Sequence, residues 1–177
     1  MEKKINIINN EICKTLGDKN VLALGLAESV AIREKDGDTV VTFPALILKS
    51  GECMDVYAET DKHDVTLYHR LNAISYQETD NASWGSNKGY TEVADMSLLV
   101  FGKRCKISQY EMEKIARRAI TKDNANSVSR SEFNALQVFA SEYMGVTYFM
   151  GTGYYLFRIN YSITSTYNAR CINKDRL

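Results

Sequence analysis

The chain has 177 residues, 45% hydrophobic and 25% charged, and its 22 Lys and Arg balance its 22 Asp and Glu. A chain of this length buries about 70% of the surface of its unfolded form, so a single domain spanning 1–177 can build its core without disulfide or metal staples. Such a composition indicates neither a disordered nor a fibrous chain, and zero net charge gives no reason to expect nucleic-acid binding by the molecule as a whole, which only a local charge distribution could support.

Residues 98–101 form one of the longest apolar runs, far below the about 20 residues that cross a bilayer. The opening residues are interrupted by Asn and Glu and lack a small-residue cleavage site, so no export signal is expected. Cys13, Cys53, Cys105 and Cys171 form no CxxC pair and read as reduced cytosolic thiols, mostly buried.

In chain order, Ile5, Ile8, Ile12 and Leu16 recur at helical spacing and predict a helix over 3–16 that Gly17 terminates. Residues 21–24 either extend that helical layer or begin a strand. Residues 30–33 pair with 39–43 across a turn at 35–38 that contains Asp36-Gly37, because a primed hairpin turn needs the positive φ that glycine adopts. Pro44, which cannot donate to a sheet ladder, places a strand end or edge there, with 45–49 as a new stretch or an edge strand.

Residues 65–76 and 90–102 predict a long antiparallel hairpin around the polar loop 78–89, long enough to project beyond the domain body. Ser108 and Glu111 have the spacing of a capping box and start a helix running to about Ile120. Its apolar face is Met112, Ile115, Ala116 and Ala119, with Lys114, Arg117 and Arg118 outward. A second such pair, Ser129 and Glu132, predicts a third helix with Phe133, Leu136, Ala140 and Tyr143 on one face, ending near Gly145. Tyr155, Phe157, Ile159, Tyr161 and Ile163 then alternate with Leu156, Arg158, Asn160, Ser162 and Thr164, as in an antiparallel strand with one buried and one wet face. The expected fold is α+β, a mainly antiparallel sheet with a long hairpin, packed by an N-terminal helix and two later helices.

Catalytic chemistry is sparsely represented. His63 and His69 sit in no recognised motif, and the acidic run around His63 lacks the glycine and terminal glutamate of a calcium loop. Cys53 and His69 lack a nucleophile signature. Gly151-Thr152-Gly153 lacks the Lys-Ser or Lys-Thr of a phosphate loop and reads as a turn before the last strand. No catalytic residue, metal or cofactor is expected.

Local charge is more informative. Glu52, Asp55, Glu59, Asp61 and Asp64 form an acidic strip, and 103–130 carries a basic one that includes Lys103, Arg104, Arg117 and Arg118. The two are solvated faces, or the two sides of a head-to-tail contact between subunits, the arrangement that closes rings, or the basic one faces DNA. Trp84, in the polar hairpin loop, is either an anchor for a neighbour or folded back on its own sheet.

The segments 71–76 (Leu-Asn-Ala-Ile-Ser-Tyr), 92–100, 138–143 and 157–161 resemble small proteins of phages infecting Bacteroidales, including crass-like phages. The order of elements is similar to that of the tail-terminator and head-to-tail connector group. That resemblance implies a virion protein forming a sixfold or twelvefold ring in the neck or tail, bound to portal, connector or tail proteins and enclosing the DNA channel, with no catalytic residues. Two other readings compete with it. One is a ligand-binding or enzymatic α+β domain, and the other a DNA-associated accessory protein using Arg117, Arg118, Lys122 and Arg130.

Overall fold

The computed structural model describes residues 1–33, 40–48, 50–56, 62–79, 89–146 and 151–168. Helix α1 (Glu2–Leu16) forms where the isoleucine spacing predicts it, burying Ile5, Ile8, Ile12 and Leu16, and Gly17 ends it at φ 62. Residues 21–24 resolve to a strand, β1 (Val21–Leu26). Its pairing with β5 (Val65–Thr79) is parallel, which the sequence reading did not anticipate.

β5 and β6 (Gly89–Lys103) form the long antiparallel hairpin, paired from Val65 opposite Gly102 to Thr79 opposite Gly89 with a one-residue register shift between Leu71 and Ala73. β8 (Tyr154–Asn168) pairs along the whole of β6, and β7 (Asn126–Glu132) closes the other edge, giving the order β1-β5-β6-β8-β7. β7 occupies the stretch read as a second capping box. Ser129 there donates to the Asn160 carbonyl and Ser127 bonds Ser162, both across to β8, so these serines serve a ladder and not a helix start. The cap belongs to Asn134, whose side chain accepts from the Gln137 amide and starts the short α3 (Ala135–Glu142). With the frame moved, Val138 and Phe139 are buried while Phe133, Leu136 and Ala140 are exposed.

α2 (Gln109–Thr121) starts at the Ser108 cap, which accepts from the Glu111 amide, and buries Met112, Ala116, Ala119 and Ile120, with Ile115 half-buried. Together with α1 it covers one face of the large sheet, enclosing Leu67, Met96, Leu98, Phe157 and Ile159. Each large apolar side chain buried there contributes about 1.5–3 kcal/mol.

The second face carries Tyr68, Leu99, Phe101 and Leu156, and is covered by α3 and a small sheet of order β2-β3-β4. Leu156 is fully buried, so this side of β8 is dry at its start and becomes half-buried only from Arg158 onward, not wet throughout. β2 (Glu28–Arg33) pairs with β3 (Val40–Ile47) in the predicted hairpin, whose turn lies outside the described residues. Contrary to expectation, Pro44 sits inside β3, the central strand of this sheet. The pairing with β4 (Cys53–Asp55) stops at Ala45, and Pro44 only has to accept from the Val56 amide through its carbonyl. Its missing N–H therefore falls on the β4 side, past the last β3–β4 pair, while Ser29 of β2 stays paired opposite it.

The Tyr143 hydroxyl donates to the Val56 carbonyl at 2.7 Å, and Thr42 bridges to Met144, tying the end of α3 to the small sheet. Gly145 (φ 78) completes that seam, since a Cβ there would stand 2.9 Å from the Val40 carbonyl oxygen. Cys53 and Cys105 are exposed and Cys13 half-buried, so the described thiols are not the buried set expected, and Cys171 lies outside the described residues. Among the described residues no helix is long and apolar enough to cross a membrane.

Candidate functional site

β7 stops pairing at Ile163, and beyond that point β5, β6 and β8 continue as a three-stranded arm from Thr164 to Asn168. At about 3.3 Å per residue the arm extends about 17 Å. β8 thus adds a third strand to the projecting hairpin that the two long apolar runs predict. On the face that begins over the α1 and α2 core, Ile74 lies opposite the buried Ala94. Two residues further out, Tyr76 lies opposite Glu92, and two beyond that Tyr90 lies opposite Tyr167. Tyr76 is 65% exposed and Tyr167 40%. The described arm residues include Glu78 and Glu92 and no Lys or Arg. Trp84, the residue singled out in this hairpin, lies outside the described residues.

At the opposite end of the same sheet, the start of β8 borders an open pocket of about 300 Å³. Its walls include Arg104, Gln109, Thr152, Phe133, Tyr155 and Leu156. The Arg104 Nε donates to the Tyr154 carbonyl at 3.0 Å, and its guanidinium carbon stands 6.0 Å from the Tyr155 ring centre, within cation–π reach. Among the described residues no carboxylate pairs with it, and no acid lines the pocket. Burial pushes the Tyr155 hydroxyl well above the ordinary tyrosine range, with Arg104 pulling the other way. The 151–153 turn read from the sequence forms the pocket's rim, closed by the Tyr154 amide donating to the Gly151 carbonyl.

The charge strips are only partly assembled. Glu52 and Asp55 are exposed beside and within the edge strand β4, whereas Glu59 and Asp61 lie outside the described residues. Asp64 belongs elsewhere: it accepts from the Asn20 amide and lies 3.9 Å from Lys106, inside the basic region. Much of the basic strip is neutralised within the chain. Arg117 pairs with Glu113 one helical turn back and donates to Ser131, Lys122 meets Glu11 at 2.7 Å, and Arg130 pairs with Glu132. Lys114 and Arg118 stand outward on α2, and Lys103, half-buried, ends β6.

His69 is fully buried and structural. Its Nε2 lies 2.9 Å from the Asn9 Oδ1 and its Nδ1 2.7 Å from the Tyr161 hydroxyl, and the Asn9 amide donates onward to the Leu24 carbonyl. A neutral imidazole donating to Asn9 and accepting from Tyr161 satisfies all three groups, and burial lowers its pKa to about 3. Both ring nitrogens are engaged, so His69 is not available as a base to the exposed Cys53. Among the described residues no three His, Cys, Asp or Glu side chains converge as a metal site.

A second, partly buried polar cluster escaped the sequence reading. Arg158 reaches both Glu132 and Glu142, Arg70 meets Glu142 at 3.1 Å, and Asn160 links Glu132 to Ser97 and through it to Asn72. Burial works against the Glu132 carboxylate, but Arg158 and Arg130 outweigh it and hold its pKa below the ordinary value. The alternation of β8 carries the signal for Arg158 and Asn160, yet nothing local identifies Arg70 or Glu142 as their companions. In comparisons with known proteins, no protein-family model matches this chain and no curated protein resembles it significantly.

Proposed function

We propose that this chain is a structural virion protein that forms a ring in the phage neck or tail, as a head-to-tail connector or tail terminator. The ring, sixfold or twelvefold, joins portal or connector to tail proteins around the DNA channel. The observation that carries this reading is the arm, a strand extension with outward tyrosines that outruns the core it would otherwise serve. A subunit stable alone gains little from such a structure, whereas large amphipathic aromatics on a rigid projection suit a protein interface.

The internal pairing of Arg117, Lys122 and Arg130 favours a protein contact over a DNA-binding accessory role, because bases already neutralised release few phosphate counterions. Electron cryomicroscopy of intact virions that contain the chain tests the proposal. A closed ring of density at the neck or tail that fits this fold is the expected result, and absence of the chain from complete particles overturns it.

A further inference from the structure

We propose that the Arg104 pocket of one copy receives the aromatic and acidic arm of a second copy, so that adjacent subunits are joined head to tail. This rests on the reading of the chain as a self-assembling subunit and names the contact that joins its copies.

Topology comes first. The pocket lies at the start of β8, at Tyr154, Tyr155 and Leu156, and the arm contains its end, at Tyr167. At about 3.3 Å per residue the strand separates them by about 40 Å. Neither surface can satisfy the other within one rigid sheet, and two unlike patches at opposite ends of one element are what a heterologous, ring-closing contact requires.

Chemistry is the second argument. The arm pairs Tyr76 with Glu92 across neighbouring strands, an aromatic ring beside a carboxylate. The pocket offers the complement, with the exposed Phe133 for a ring and Arg104, standing over the buried Tyr155, for a carboxylate. Arg104 is also held in advance, because the Tyr154 carbonyl fixes its Nε while the terminal nitrogens remain able to form a planar, two-bond contact. A guanidinium already positioned loses less side-chain entropy on binding than a free one. In the pocket wall Phe133 is 49% exposed, apolar surface that an incoming arm would cover.

The test uses two full-length variants that each disable one side. Tyr76→Ser with Glu92→Arg removes the arm chemistry and leaves the pocket, and Arg104→Glu removes the pocket chemistry and leaves the arm. In sedimentation velocity the wild type is expected to self-associate in a concentration-dependent way. Each variant alone should remain monomeric, and their mixture should form a dimer and stop there, because only one intact contact can form per pair. Thr152→Trp, which obstructs the pocket from its rim without replacing Arg104, should behave as Arg104→Glu does, and circular dichroism checks that each variant is folded.

Folded variants that still associate on their own would place the contact elsewhere and overturn the proposal while leaving a ring possible. A wild type monomeric at every concentration would overturn this contact as a self-sufficient one, and virion density would then judge the ring reading separately.

Discussion

Burial holds the His69 imidazole at a pKa of about 3, against 6.5 for an ordinary histidine. Between those values the unfolded chain binds a proton that the folded chain excludes. Stability from this residue is therefore complete above pH 6.5 and falls as pH drops toward 3, by a few kcal/mol, on the order of 3–5. His69→Gln, which can keep a donor toward Asn9 and an acceptor toward Tyr161, should show a shallower loss of stability than wild type in urea titrations over that range. Parallel pH profiles would mean that the imidazole is not buried neutral. A second residue-scale test concerns Gly102, where an added Cβ would lie 2.2 Å from the Tyr155 ring. Gly102→Ala should cost about 1–3 kcal/mol, and Tyr155→Leu in the same chain should recover part of that loss.

At the scale of elements, Ser129 and Asn134 separate two accounts of how α3 begins. Asn134→Ala removes the observed cap and should cost about 1 kcal/mol, whereas Ser129→Ala removes only a strand contact to the Asn160 carbonyl and should cost less. Equal effects would contradict the placement of the helix. The sequence signal here was ambiguous for a physical reason. Ser-x-x-Glu caps a helix only if the backbone turns there, and in this chain the open edge of β8 captured 126–132 as a strand first. Ser108 and Glu111, by contrast, follow the end of a strand with no edge to join, and the same pattern makes a real cap. Arg158 belongs to this scale as well, because it binds α3 and β7 to the central sheet through Glu142 and Glu132. Arg158→Met should destabilise by roughly 3 kcal/mol by leaving two poorly solvated carboxylates without it, as chemical denaturation would measure.

For the whole molecule, the arm and the body should be separable. Replacing residues 80–88 by Asn-Gly joins Thr79 to Gly89 through a two-residue turn, matching the observed register. The shortened chain should keep one cooperative unfolding transition and, because Tyr76, Glu92 and Arg104 remain, should still associate, and a broadened or lost transition would mean that the loop is part of the core. Lys114→Glu with Arg118→Glu is a cleaner probe of the outward basic face than Arg117, whose reversal would also break its pairing with Glu113. If that face contributes to association, the double reversal should weaken it most at low salt, and unchanged association there would make the face merely solvated.

Sequence periodicity by itself determined the elements whose side chains repeat along one face: α1 from its isoleucines, β5 and β6 from their long apolar runs, and the buried row Tyr155 to Ile163 on β8. Such patterns are legible because burial acts on each residue through its own element. What only the tertiary structure decided were relations between elements. These include the parallel pairing of β1, the capture of 126–132 by the edge of β8, and the toleration of Pro44 inside a central strand. The meeting of Arg70 with Glu142 and the placing of Arg104 beside Phe133 belong with them. Each depends on which surfaces face one another once the chain is closed, and the free energy of such contacts is shared between residues far apart in sequence, so no local pattern records it.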